Sequence, residues 1–299
     1  MKSRAIFSPE PHRGWLTWGA LAPILALVFF VGPGIPVGIG MYRLGLFDRQ
    51  GPAGFVGMAV YTLSMFTIVG AVTWIWVHFV ERRPLATIGL NPPDGAKKFA
   101  FGHVAGCASI FAVILATWLA GGYDLTDGAP AWQSPQALLS IAALLLCFVI
   151  QGSVEEIVFR GWLLSTVARK FNVAWGVGLS TFIFCLLHYN PGLSWLVMLN
   201  LVLFSLFACT WALTKNSLWG IMGWHAGWNW LLATGFQLPV TGIDVHLPGL
   251  VATMVPKGPD YLTGGNQGPE GSVVFTVFVV AAIAWLLITG RARTNLANR

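Results

Sequence analysis

Three charged residues lie in the middle of a membrane-length apolar segment, and they restrict what this chain can be. The stretch Glu155-Glu156-Ile157-Val158-Phe159-Arg160 is flanked by the apolar runs 137–150 and 161–167. A charged side chain at the centre of a membrane helix costs about 2.5–3.5 kcal/mol on insertion scales. A helix that carries three such groups must pair them, solvate them or use them.

Helical spacing predicts different roles for the two glutamates. Glu156 and Arg160 are four residues apart with the glutamate first, so their side chains face each other and can pair. Glu155 lies about 100° further round the helix, on the face that also carries Gln151 and Phe159. Glu155 is then a poorly solvated carboxylate, a group suited to general acid or base catalysis near neutral pH. The alternative is a purely structural ion triad between helices.

Composition indicates an integral membrane protein. The chain has 299 residues, of which 56% are hydrophobic and 9% are charged, whereas a soluble domain carries about 25% charged residues. We expect an all-α, polytopic transmembrane bundle of about eight spans, forming a single integral membrane domain over residues 1–299. The four cysteines fall inside apolar runs and show no metal or disulfide spacing.

The apolar runs set the expected spans. Pro33 and Pro36 are expected to kink the first span or end it early. Polar connectors separate the later runs, including a Gly/Pro-rich loop at 237–271. We place the spans at about 15–42, 53–80, 99–121, 135–168, 173–189, 193–213, 217–236 and 272–290.

Basic residues predict the orientation. With the N-terminus inside, every Lys and Arg except Arg43, Arg49, Lys257 and the intramembrane Arg160 falls on the inner side, including Arg83. This asymmetry predicts that both termini are cytoplasmic, in a bacterial-type plasma membrane. The net charge of +6 therefore reflects topology, and we expect membrane lipid and a peptide or protein tail as partners, with no nucleic acid.

Two further helices carry polar groups at a matching depth. Phe184 and His188 share one helix face, and His225 and Asn229 share another. Counted from the cytoplasmic helix ends at 1.5 Å per residue, Glu155, both histidines and Asn229 lie roughly 15 to 24 Å deep. Such a layer predicts one polar pocket inside the bundle, whereas a lone membrane histidine is as often a packed core residue.

Three motifs follow one another on successive hydrophobic helices: Glu155-Glu156…Arg160-Gly161, Phe184…His188 and His225…Asn229. This order resembles the CPBP family, the CAAX-protease and bacteriocin-processing (Abi) membrane endopeptidases, and is similar to the type II CAAX prenyl endopeptidases. The resemblance covers about 135–236, which we take as the catalytic core. The first two spans, the 237–271 loop and the last span lie outside it.

The resemblance implies an intramembrane endopeptidase that hydrolyses a peptide bond in a membrane-associated or lipidated substrate. By motif, Glu155 and His188 would activate a water, while His225 and Asn229 would stabilise the oxyanion. A base-activated water attacking an amide needs no covalent nucleophile. The substrate itself is left open, as a prenylated tail, a bacteriocin-type leader and a membrane-anchored sorting tail all fit.

The resemblance also implies supporting residues and leaves two alternatives. Glu156 and Arg160 would hold the site together. We favour a mechanism without a metal cofactor, since Asn229 suits an oxyanion donor better than a zinc ligand and the HExxH spacing is absent. A zinc site would use Glu156, His188 and His225. In a different class of function, a non-catalytic membrane immunity or scaffold protein would bind a peptide in the same pocket.

Overall fold

The computed structural model describes residues 7, 10, 12–47, 51–91 and 93–297, with side chains up to residue 290. Nearly all of the regular secondary structure in this part of the chain is helical, which confirms the all-α class. Large apolar side chains such as Ile35, Phe101 and Val277 are exposed on the outer helix faces, as a bundle surrounded by lipid requires. The principal helices are α1 (Ala22–Arg43), α2 (Gly54–Ile75), α3 (Gly95–Leu119), α4 (Pro135–Glu156), α5 (Leu164–Lys170), α6 (Val173–Leu187), α7 (Trp195–Lys215), α8 (Trp219–Gly235), α9 (Asp260–Thr263) and α10 (Val273–Ala297).

Each of the eight expected spans contains a helix, but two of them are short. Six helices in the described part of the chain are long and apolar enough to cross a membrane; one of them runs through α4 and α5 for 36 residues, Pro135–Lys170. Helix α6 has 15 residues and α8 has 17, fewer than the roughly 20 that cross a bilayer without help. Helix α8 is buried along nearly its whole length. It therefore lies among the other helices, where polar side chains can be protected from lipid.

Local capping explains where several helices begin. Ser134, Asn172 and Ser194 accept hydrogen bonds from the first-turn amides of α4, α6 and α7, as N-cap residues do. Helix α1 begins at Ala22, later than the expected start at residue 15. It also continues through Pro33 and Pro36 to its end at Arg43. Of the two expected effects of these prolines, an early end of the helix is therefore excluded, and a kink stays a prediction. Prolines are tolerated in membrane helices because neighbouring groups satisfy the freed carbonyls.

A seam of glycines joins α3 to α8. A Cβ atom added to Gly223 would lie 2.0 Å from the Phe99 carbonyl oxygen, and one added to Gly227 would lie 2.2 Å from that of His103. Gly106 of α3 lies just as close to the backbone of α8. Gly223 and Gly227 form a small-xxx-small pair, and their close contact is made with α3. This contact fixes the rotation of α8 about its own axis. Because residues two positions apart lie on nearly opposite sides of a helix, His225 and Asn229 then face away from α3.

A buried ion pair fastens the end of α2 to the chain after α4. Arg83 donates to Glu81 at 3.1 Å, and also to the hydroxyls of Ser165 and Thr166. Burial lowers the pKa of Arg83 to about 10, while the Glu81 carboxylate opposes the shift. Arg83 thus stays protonated at neutral pH. Arg83 counts among the basic residues of the expected inner side. It is 3% exposed, and its charge is paired with Glu81 inside the protein.

A small two-stranded sheet lies outside the helices and was not expected. Strand β1 (Tyr123–Gly128) pairs antiparallel with β2 (Ala252–Pro256), with Tyr123 opposite Pro256 and Gly128 opposite Ala252. Lys257 pairs with Asp124 across it at 3.1 Å. The sheet attaches the 237–271 loop to the connector between α3 and α4.

Among the residues used to predict the orientation in the membrane, Lys2, Arg4, Arg49 and Arg299 lie outside the described residues.

We expect Gly223→Ala to lower the thermal stability of the detergent-solubilised protein by about 1–3 kcal/mol, because the added methyl group forces α3 and α8 apart. Gly178→Ala in α6 is the matched control, since no described atom lies within 4 Å of its added Cβ. A thermal-unfolding series of both variants decides the matter. Equal melting temperatures would show that the seam does not set the α3–α8 contact.

Candidate active site

Helix α4 changes its winding where the three charged residues lie. The turn Ile157–Leu163 is a π-helical segment between α4 and α5, and such wider turns occur frequently at functional sites. Gly161 lies in this segment, where an added Cβ would be 2.8 Å from the Ile88 carbonyl oxygen. The chain before α3 can therefore pack directly on the segment, which explains why a glycine follows Arg160.

Glu156, Arg160 and His225 form a fully enclosed charged cluster. Arg160 Nη1 donates to Glu156 Oε1 at 3.0 Å, so the pair expected from the spacing is present. The same oxygen is 2.9 Å from His225 Nδ1, on α8. Because an ionised carboxylate only accepts hydrogen bonds, Nδ1 of His225 carries a proton. The cluster thereby joins α4 to α8.

Two aromatic rings separate Arg160 from the interior cavity. Its guanidinium carbon is 4.4 Å from the centroid of the Phe184 ring and 5.4 Å from that of Phe204. Cation–π contact is strongest where water is absent, and Arg160 is completely buried. The guanidinium therefore pairs with Glu156, while the Phe184 and Phe204 rings, which line the cavity, lie against it.

Only one of the two carboxylate oxygens of Glu155 accepts a hydrogen bond from a described residue. Its Oε1 accepts a hydrogen bond from Gln151 Nε2 at 2.9 Å. Its Oε2 has no hydrogen-bond partner among the described residues and lies 3.9 Å from Nε2 of His225. The side chain is 4% exposed. A buried carboxylate oxygen without a partner is unusual and requires an explanation, such as a water or a reacting group that it receives.

Asn229 belongs to the same network through Gln151. Its Nδ2 donates to Gln151 Oε1 at 2.9 Å. Gln151 therefore links Glu155 of α4 to Asn229 of α8, one helical turn beyond His225. Sequence reasoning placed Gln151 on the face of Glu155 but gave it no part in the site, although the spacing of four residues was the signal.

His188 lines the cavity but is not joined to Glu155 by a described contact. Its Nδ1 is 2.8 Å from the Phe184 carbonyl oxygen, and a carbonyl can only accept, so the proton is on Nδ1. In the neutral ring Nε2 then has a free lone pair. The histidine next to Glu155 is His225. The expected partnership of Glu155 and His188 in activating water stays a prediction.

A cavity of about 650 Å³ brings the candidate residues together. Gln151, Glu155, His188, His225 and Asn229 all line it. Glu156 and Arg160 are absent from the part of the lining that the structure describes, in keeping with a supporting role. The expected catalytic residues of α4, α8 and the end of α6 therefore line one cavity. The Glu156–Arg160 ion pair is not part of its described lining.

The 237–271 loop covers this cavity. Thr241, Asp244, Gln267 and Glu270 contribute to its lining. Glu270 accepts from the Trp228 indole of α8 at 3.0 Å and from the Thr241 amide at 2.9 Å. The loop is therefore fastened to the helix that carries His225 and Asn229. No motif identified this loop in the sequence.

The described residues do not offer a ready metal site. No group of three or more His, Cys, Asp and Glu side chains in the described ranges is arranged to hold a metal ion. Of the zinc set Glu156, His188 and His225, only Glu156 and His225 are in contact, through the Nδ1–Oε1 hydrogen bond. We therefore assign no metal ligands, and metal dependence remains a question for elemental analysis.

Comparison with known families agrees with the three motifs. Residues 137–231 match the family model described as type II CAAX prenyl endopeptidase Rce1-like. This segment of the chain, about a third of its length, is therefore similar to the Rce1-like family. The match runs from the start of α4 to within α8, so it contains every residue of the three motifs and confirms the family resemblance there. No curated protein and no solved structure gives a significant match.

We expect Arg160→Leu to destabilise the protein more than Glu155→Gln does. Removing one partner of a buried ion pair costs about 3–5 kcal/mol, because the other charge is left in a low dielectric; here Glu156 would keep only His225. Thermal unfolding in detergent measures the difference, with Arg43→Leu at the exposed end of α1 as the control. Equal melting temperatures for the first two variants would contradict the pairing.

Proposed function

We propose that this protein is an intramembrane endopeptidase in which Glu155 activates a water for attack on a peptide bond. The match to the Rce1-like family model indicates the CAAX-type protease family. The observation that carries the mechanism is that Glu155 lines a cavity of about 650 Å³ and that its Oε2 has no hydrogen-bond partner among the described residues. Oε2 of Glu156 also has none there, but Glu156 is not part of the described lining. A carboxylate in this position can hold a water and take its proton.

The remaining residues support the attack. The water loses a proton to Glu155 as its oxygen bonds to the carbonyl carbon, which produces a tetrahedral oxyanion. Asn229 uses one amide proton on Gln151 and keeps another that can be donated to this oxyanion. Collapse breaks the carbon–nitrogen bond, and the proton on Glu155 passes to the leaving amine. The products are a carboxylate-ended and an amine-ended peptide.

His225 would act as a donor only in one of its forms. Its Nδ1 proton is used by Glu156, so donation through Nε2 requires the doubly protonated imidazolium. That form would balance the charges of the cluster, with Glu155 and Glu156 negative and Arg160 and His225 positive.

The substrate is proposed to be a membrane-associated or lipidated peptide tail that enters from the bilayer. The site lies in a bundle with apolar outer faces, so lipid is the surrounding solvent. We further propose that both termini are cytoplasmic and that the membrane is a bacterial-type plasma membrane, on the positive-inside count. In that orientation the 237–271 loop would cover the cavity from the non-cytoplasmic side.

We expect Glu155→Gln to reduce peptide cleavage by about 10²- to 10⁴-fold, the usual effect of losing a general base, without unfolding the protein. Detergent-solubilised wild type would first be screened against hydrophobic peptides by mass spectrometry, and the variant then assayed on a cleaved peptide. Asp124→Asn, in the exposed sheet, is the matched carboxylate-to-amide control. Wild-type turnover by Glu155→Gln would refute the base assignment. Tight peptide binding by a wild type that cleaves nothing would favour a scaffold protein.

We also expect cleavage to persist after exhaustive chelation. The proposed steps use the side chains of Glu155, Asn229 and His225, whereas a zinc enzyme loses activity when chelators remove its metal. Elemental analysis of the active protein, followed by turnover with and without chelator, makes the measurement. Stoichiometric zinc, with activity lost on its removal and restored on its return, would make His188 and His225 metal ligands.

A further inference from the structure

The side chain of Gln151 spans the site from one candidate residue to another. It donates to Glu155 at 2.9 Å through Nε2 and accepts from Asn229 at 2.9 Å through Oε1. It is 8% exposed and lines the cavity. We infer that Gln151 is a positioning residue that fixes which oxygen of Glu155 takes the proton and which amide proton of Asn229 meets the oxyanion. This inference rests on the proposed hydrolysis.

The direction of the chain of hydrogen bonds follows from the carboxylate. Ionised Glu155 can only accept, so the amide nitrogen of Gln151 must face it. The amide oxygen of Gln151 then faces Asn229, and an oxygen can only be met there by the nitrogen of Asn229. The orientation of both amides is thus determined by a single charged group, with each donor matched to an acceptor.

This direction selects the reacting atoms. Oε1 of Glu155 is occupied by the Gln151 proton, so the proton taken from water goes to Oε2, the oxygen that has no described partner. On Asn229 one amide proton is committed to Gln151 and the second is left for the oxyanion. Base and oxyanion donor lie on different helices, α4 and α8, and Gln151 sets their separation by direct contact.

The groups around Glu155 define what else influences its protonation. His225 of α8 is 3.9 Å from Oε2. Glu156, the next residue on α4, is paired with Arg160. Tyr61 of α2 interacts electrostatically with Glu155. A substitution of Gln151 leaves the side chains of His225, Glu156, Arg160 and Tyr61 in place. A changed pH dependence of the site can therefore be assigned to the loss of the Gln151 amide.

The test uses Gln151→Met, which keeps the length of the side chain and removes both hydrogen bonds. A hydrogen bond to a charged group is worth about tenfold or more in equilibrium constant, so its loss disfavours ionised Glu155. We expect the acid limb of the pH profile of kcat/KM to move up by about one pH unit, and kcat to fall by roughly tenfold. Gln133→Met, on the exposed surface, is the matched control and should change neither.

A second variant guards against a folding defect. In Gln151→Glu, the introduced carboxyl imitates the amide only while it is protonated, when its hydroxyl donates to Glu155 and its other oxygen accepts from Asn229. We expect this variant to be active only in an intermediate pH range, where the two carboxyls share one proton. Its activity should fall at lower pH, where Glu155 is also protonated, and at higher pH, where the shared proton is lost. Activity that falls in both variants without a change in pH dependence would show that Gln151 only fills space, and would overturn the inference.

An infrared titration of the carboxyl groups separates this inference from the proposed function. The Glu155 band is assigned by its disappearance in Glu155→Gln, and its midpoint is compared in wild type and Gln151→Met. An upward displacement supports the Gln151–Glu155 bond even if no peptide is cleaved, in which case the proposed hydrolysis fails alone. An unchanged midpoint in a folded variant would overturn the inference even if the wild type cleaves peptides.

Discussion

The ion pair between Glu156 and Arg160 is the interaction on which the site depends. Both side chains are completely buried, and the Oε1 of Glu156 that accepts from Arg160 also contacts His225 at 2.9 Å. Two charges in a low-dielectric interior persist only when they are paired and hydrogen-bonded. The pair therefore fixes the end of α4 against α8. Glu155, the preceding residue, lines the cavity, and its Oε2 has no hydrogen-bond partner among the described residues.

The position of α8 depends on a second constraint, which is steric. Glycines at 223 and 227 allow its backbone to touch α3 on one side, so that His225 and Asn229 face α4 on the other. A short helix that is buried all round has no need of an apolar surface, which is why it can carry a histidine and an asparagine. The Gln151 bridge then connects Asn229 to Glu155, so that two helices form one hydrogen-bonded unit.

The loop over the cavity adds further polar groups to a lining that already holds polar side chains of the helices. Glu270 accepts hydrogen bonds from Trp228 and Thr241, and Asn200 of α7 donates to the Glu270 carbonyl at 2.8 Å. These contacts, together with the β1–β2 pairing, hold the loop on the bundle. The cavity is thus bordered by the Glu155–Gln151–Asn229 network on one side and by the loop on the other.

The sequence by itself determined the membrane class, the approximate place of each helix and the layer that holds Glu155, His188, His225 and Asn229. These follow from composition and from spacing within single helices, where geometry is local: a residue and its fourth neighbour always share a face. Only the tertiary structure decided that His225 lies next to Glu155, that Gln151 joins Glu155 to Asn229, that Glu270 of the 237–271 loop binds Trp228, and that Arg83 is buried against Glu81. Each of these depends on how one helix is rotated against another, and that rotation is set by packing between residues far apart in the chain.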